Sequence, residues 1–149
     1  MGEEQTLEKE KNFINYEEIE LVAIPHIDEQ HRLFLKLTAE FYEFQNKNSE
    51  NLNESFKVFI KKFVELIKIH FLDEEHILER ISYPEYVEHR LEHENFIKKI
   101  LEAVKKFDTG KDFVFNEFVH FLRDWVLNHI SLWDIKYAEY ISFLKKSAG

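Results

Sequence analysis

The sequence predicts an all-α protein: an antiparallel up-down four-helix bundle with an N-terminal arm and a short C-terminal helix. Three observations carry this. Breakers are scarce, with three Gly and two Pro in 149 residues. The long stretches between them repeat apolar residues three and four positions apart, the period of a helix burying one face. The connections between stretches are short, which makes neighbouring helices antiparallel.

Gly2 and Gly149 sit at the ends, so Pro25, Pro84, Gly110 and the polar run "QNKNSENLN" do the cutting. Four segments result, roughly 26–44, 53–81, 84–108 and 112–131. The first reads Ile27, His31, Phe34, Leu37/Thr38, Phe41. In the second, Asn53 suits an N-cap, and the seam runs Phe56, Phe59/Ile60, Phe63, Ile67, His70, Glu74, Ile77/Leu78, Ile81. In the third, Pro84 suits a first helical turn, where its missing N–H costs nothing. Its stripe is Tyr86, His89, His93, Phe96/Ile97, Ile100, Val104, Phe107, and Gly110 is a stop signal. Asp112 suits the N-cap of the fourth, which continues Phe115, Phe118, Leu122, Trp125/Val126, His129. "IKYAEYISFLKK" reads as a helical tail. Residues 1–149 read as a single domain, with 1–23 an arm or linker remnant.

Composition narrows the function. A formal net charge of −9 argues against nucleic acid, whose phosphates need clustered Lys and Arg, and against anionic membrane surfaces. No apolar run is long enough to span a bilayer, and the charged start "MGEEQTLEKEKNF" is unlike a signal peptide. A cytoplasmic protein is expected. Zero Cys excludes disulfides, thiolate zinc sites and iron–sulfur clusters, so any metal must be held by nitrogen and oxygen.

The histidines supply such ligands. His31, His70, His89, His93 and His129 fall in phase with the buried stripes of all four helices, and Glu74 joins them. A buried imidazole without partners costs on the order of a few kcal/mol. Five of them plus a carboxylate strain a marginally stable domain, unless they converge on metal. His89 and His93 lie one turn apart on one face, as do His70 and Glu74. His31 is early in its helix, His70 late, His89 early and His129 late. In an up-down bundle, that alternation brings all four helices' ligands to the same end. The donors are too many for one zinc and suit two five- or six-coordinate ions sharing carboxylates. Imidazole with carboxylate suits iron; zinc, manganese or a mixed pair remain compatible with the count.

The blocks "IPHIDEQHRLF", "HFLDEEHIL", "YPEYVEHRLEHENF" and "WVLNHISLWDIKY" together resemble the hemerythrin family, bacterial members most closely, over about Ile24 to Tyr137. The resemblance implies a non-haem di-iron, dioxygen-binding site. His89, His93 and His129 would hold one iron, and His31 and His70 the other. Glu74 and Asp134 would bridge them beside an oxo or hydroxo group. Dioxygen would bind end-on at the two-His iron, one ligand short, as hydroperoxide. Phe71, Trp125, Val126 and Ile130 would line its pocket. Asp134 rests on the family spacing: five residues after His129, a regular helix would rotate it away, and Asp124 or Glu117 would compete on phase. The helix is therefore expected to bend or end near Leu132. Asp73, Glu75 and His76 are expected to face away from the centre, and His26 to sit at the surface or touch a ligand. Where family members often carry a Trp in the arm, this chain offers Phe13 and Tyr16.

The resemblance implies oxygen carriage, storage or delivery, with azide and similar anions binding the oxidised form and no catalytic residues. The alternatives are an oxygen- or redox-sensing domain with a signalling partner, or a di-iron peroxidase or nitric-oxide-processing enzyme. An oxidase is a further candidate partner.

Overall fold

The computed structural model describes residues 13–47 and 50–148. The first twelve residues of the expected arm lie outside the described residues, as do Asn48 and Ser49 of the polar connection. A 3-10 turn, Tyr16–Glu18, precedes α1 (Pro25–Lys47), α2 (Leu52–Arg80), α3 (Tyr86–Thr109) and α4 (Phe115–His129). A π-helical turn, Ile130–Asp134, leads without a break into α5 (Ile135–Ala148). The fold is the expected four-helix bundle with a C-terminal extension.

The up-down course is visible at the end remote from the histidines. Phe41, late in α1, meets Phe56, early in α2, with ring centroids 5.8 Å apart. Phe56 in turn meets Phe107, late in α3, at 4.5 Å and Phe115, at the start of α4, at 5.4 Å. Late packs on early between α1 and α2 and between α2 and α3, and the early ends of α2 and α4 meet, as an up-down course requires. Phe56 is wholly buried and also touches Phe113 and Phe118. Each such ring contributes roughly 1.5–3 kcal/mol by leaving water.

The apolar interior is divided. A large cluster around Phe34, Phe56, Phe63, Phe96 and Leu122 fills most of the bundle. A smaller one, Val22, Ile27, Leu78, Tyr83 and Tyr137, closes one end. The buried histidines and carboxylates lie between the two.

The caps differ from expectation. α2 starts after Asn51, which takes a left-handed conformation with no side-chain cap, so Asn53 lies inside the first turn. Asn tolerates φ near +60° better than most residues. Pro84 is not in a first helical turn. It occupies a β-turn in which the Tyr86 amide bonds to the Tyr83 carbonyl at 3.1 Å, and α3 begins afterwards. Proline's fixed φ suits the second position of such a turn. Asp112, with φ of 56°, turns the chain after α3, and Val114 stands at the start of α4. Gly110 does end α3, with φ of 71° and its amide on the Phe107 carbonyl.

The stretch before α1 is anchored by Phe13, which stacks on Tyr42 at 4.1 Å beneath the Arg123 guanidinium. Tyr16, the other aromatic candidate, is largely exposed.

Candidate metal centre

The five stripe histidines, Glu74 and Asp134 converge, each at most 4% exposed. The ring of His89 brings its Nε2 to 2.7 Å from Glu74 Oε1 and 3.0 Å from Asp134 Oδ1. His93 Nε2 is 3.0 Å from Glu74 Oε1, and His129 Nε2 is 3.1 Å from Asp134 Oδ1. From the other side, His31 Nε2 lies 3.1 Å from Asp134 Oδ2 and His70 Nε2 lies 3.4 Å from Glu74 Oε2. All five rings thus point Nε2 inward.

Two overlapping groups result, their donor atoms all within 4.8 Å of one another. One is His89, His93, His129, Glu74 and Asp134; the other is His31, His70, Glu74 and Asp134. Both carboxylates belong to both groups. One oxygen of each faces the three-His set and the other faces the two-His set.

The donors fit cations better than they fit each other. Among the described residues, both nitrogens of His31 and both oxygens of Asp134 are buried without a hydrogen-bond partner, although nitrogens lie near 3 Å. They approach without hydrogen-bond alignment, as atoms aimed at a common point do. Buried polar groups are ordinarily paired, and nitrogen and carboxylate oxygen without sulfur suit iron, zinc or manganese.

Asp134 reaches the centre through the π turn. In an α-helix five residues rotate a side chain by about 140°. A π turn closes its hydrogen bond over five residues instead, which returns Asp134 beneath His129. The expected interruption near Leu132 is therefore a widening of the helix and not its end. Asp124 and Glu117, which regular phase would have favoured, are exposed.

Charge in the cluster is strongly linked. Burial opposes the charged form of His129, but the Asp134 carboxylate, helped by Glu74, pushes its pKa up to about 10. His89 is raised too, burial being outweighed by Asp134 and Glu74. Burial lowers His70. Glu74 is held well below the usual range, because the histidines, His70 foremost, outweigh its burial. Asp134 is likewise held low, chiefly by His129 against burial and the Glu74 charge.

Several participants were not anticipated from the sequence. The buried Tyr137 hydroxyl donates to Glu74 Oε2 at 3.0 Å. Burial and the two carboxylates push its pKa far up, so the proton stays. Glu75 does not face away: its Oε2 accepts from His93 Nδ1 at 3.0 Å. Asp73 is also engaged, accepting from Gln30 Nε2 at 2.8 Å, while Gln30 Oε1 accepts from His70 Nδ1 at 2.7 Å. His26 is exposed and lies 3.0 Å from Asp73. His76 is exposed as expected. His120 is remote, its ring against Phe13 and Tyr42. The signal for Tyr137 was its place three residues after Asp134 on α5. Gln30 and Glu75 carried a weaker one, each being adjacent in sequence to a stripe residue.

A small cavity adjoins the cluster, offering the centre of a water-sized sphere about 10 Å³. Phe34, Ile67, Phe71, Trp125, Val126 and Ile130 wall it, beside the rings of His31, His70 and His129. Phe71 stacks on His93 at 3.8 Å. Phe71 also lines a surface groove between α2 and α3, with Leu72 and Ile97.

Comparison with known proteins gives one answer. The family model described as Hemerythrin HHE cation binding domain matches residues 22–141. A bacteriohemerythrin of Clostridium acetobutylicum is 32% identical over 130 residues, covering 85% of this chain and 99% of that protein. A bacteriohemerythrin of Methylococcus capsulatus is 25% identical, covering 77% and 86%. A myohemerythrin of Sipunculus nudus is 27% identical, covering 74% and 88%. No solved structure gives a significant match. The matched region takes in every buried histidine, both shared carboxylates and the π turn between them, and on that extent of agreement the chain belongs to the hemerythrin family.

Proposed function

We propose that this protein is a non-haem di-iron dioxygen-binding protein, serving carriage, storage or delivery of dioxygen and not its turnover. In this reading His89, His93 and His129 hold one iron, His31 and His70 hold the other, and Glu74 and Asp134 bridge them. The observation that carries it is the inequality of the two donor groups. One offers three imidazoles and the other two, while both share the same carboxylates. The cavity supports the same reading, since it touches both rings of the two-His set but only His129 of the three-His set. A small ligand there meets the end with fewer donors.

A bound iron pair would supply the electrons that dioxygen takes up and returns. The chain's own residues do the rest. Apolar walls at Phe34, Ile67, Phe71, Trp125, Val126 and Ile130 fit a small apolar diatomic and offer water no hydrogen bonds. That dryness slows proton-assisted oxidation. Tyr137 keeps its proton and holds Glu74 from behind. No described helix is long and apolar enough to cross a membrane, and a cytoplasmic setting belongs to the proposal, as does a single functional domain over 1–149.

Metal analysis with optical spectra of the reduced, oxygenated and azide-treated protein tests it. Two irons per chain are expected, with new visible bands on oxygenation and on azide addition. A protein that binds no oxygen after anaerobic reduction and shows no such bands overturns the proposal.

A further inference from the structure

The run Asp73-Glu74-Glu75 places three consecutive carboxylates on α2. Successive residues of an α-helix are about 100° apart, so the three leave the helix in different directions. Glu74 enters the centre. Asp73 turns toward α1, where its Oδ2 accepts from Gln30 Nε2 at 2.8 Å. Glu75 turns toward α3, where its Oε2 accepts from His93 Nδ1 at 3.0 Å.

The Asp73 contact has a directional consequence. An amide presents donors at one end and an acceptor at the other. With its nitrogen held by a carboxylate, Gln30 turns its carbonyl to His70 Nδ1, 2.7 Å away. A carbonyl only accepts, so His70 carries its proton on Nδ1 and leaves Nε2 free to face the centre. The Glu75 carboxylate imposes the same tautomer on His93. The outer nitrogens of His31, His89 and His129 are buried and have no such partner among the described residues.

One imidazole in each donor group is therefore tied from outside, and by different chemistry. His93, in the three-His group, is tied to a carboxylate, which makes its inner nitrogen the more basic. His70, in the two-His group, is tied to a neutral amide, which does so less.

Building on the di-iron reading, we propose that Gln30 and Glu75 are positioning residues that fix His70 and His93 for metal and make the two metal positions unequal in donor strength, with Asp73 orienting Gln30. Neither residue touches metal. The inequality adds to that already set by ligand number: the carboxylate-backed, three-His position is the stronger of the two.

The test titrates the metal-free protein with Co2+, followed by calorimetry and visible absorption. His31→Ala and His129→Ala serve as references that identify which binding step belongs to which position. Glu75→Leu is expected to weaken binding at the three-His position by about 10–100-fold, and Glu75→Gln, which keeps an acceptor but loses the charge, by less. Gln30→Met is expected to weaken the two-His position by a smaller factor and to leave the other within about two-fold. Melting of each metal-free variant, with far-ultraviolet circular dichroism, reports folding separately. Retention of wild-type affinity at both positions in Glu75→Leu and Gln30→Met overturns the inference. So does an equal loss at both positions accompanied by a lowered melting temperature, which is the mark of a merely structural role. Wild-type protein that takes up no pair of ions overturns the di-iron reading and this inference with it, a result distinct from any seen only in the variants.

Discussion

Tyr137→Phe isolates one hydrogen bond at the heart of the centre. The hydroxyl is buried and donates to Glu74 Oε2 at 3.0 Å, while the ring packs against Tyr83 and His89. Phe keeps the ring and deletes the donor. A hydrogen bond to a charged group contributes about 1.5–3 kcal/mol. The remaining neighbours of Oε2 are the nitrogens of His70 and His31 at 3.4 and 3.9 Å, too distant to replace it. At about 2.1 cal/mol/K per residue, 149 residues unfold with an entropy of about 310 cal/mol/K. The metal-free variant should therefore melt about 5–10 °C lower. The assay is thermal and urea unfolding in chelator, with Tyr140→Phe as control. Tyr140 stacks edge-on against Tyr83 and should change stability by less than about 0.5 kcal/mol. If Tyr137→Phe shifts no more than that control, the hydroxyl does not hold Glu74 and the account of the back of the site is wrong.

Metal-free stability should depend on pH with a maximum near the ordinary histidine value of 6.5. His129, raised to about 10, and His89, also raised, contribute stability that is full below 6.5 and lost as pH climbs through their folded values. His70, lowered, and the depressed Glu74 and Asp134 contribute stability that is lost as pH falls. Urea midpoints that stay flat on the alkaline side refute this, and metal affinity should instead rise there as bound protons are displaced. Phe71→Ala removes the wall shared by the cavity and the α2–α3 groove, so the oxygenated form should oxidise faster, measured as decay of its visible band. Glu74→Ala removes a donor common to both groups and should cost iron at both positions, whereas His70→Ala should spare the three-His position; iron per chain distinguishes them.

Much of this fold was legible because one physical signal dominates it. A stripe repeating every three to four residues marks all four helices and by itself turns His31, His70, Glu74, His89, His93 and His129 inward. The caps were less legible. Asn53 and Asp112 have the right side chains, but backbone turning at Asn51 and Asp112 decided where the helices start. Asp134 escaped the stripe because it obeys a different period, and only the family spacing pointed to it. Asp73, Glu75 and Gln30 escaped for another reason. They lie beside the stripe, so sorting by phase assigns them to solvent, whereas Gln30 and Glu75 reach around the helix edge to the outer nitrogens of His70 and His93, and Asp73 reaches Gln30.

The π turn makes the centre a matter of chain count as well as residue type. Ser131 and Leu132 within it are exposed, and their side chains can change freely. Were the same residues to relax to α geometry at full length, everything downstream would turn by about 100°. Asp134 and Tyr137 would swing off Glu74 and His129 together, with every site side chain still present in the sequence. Removing Ser131 or Leu132 instead leaves Asp134 four positions after His129, where α geometry keeps it on the same face, whereas adding a residue to the turn carries Asp134 off that face with all seven ligand-type residues still present.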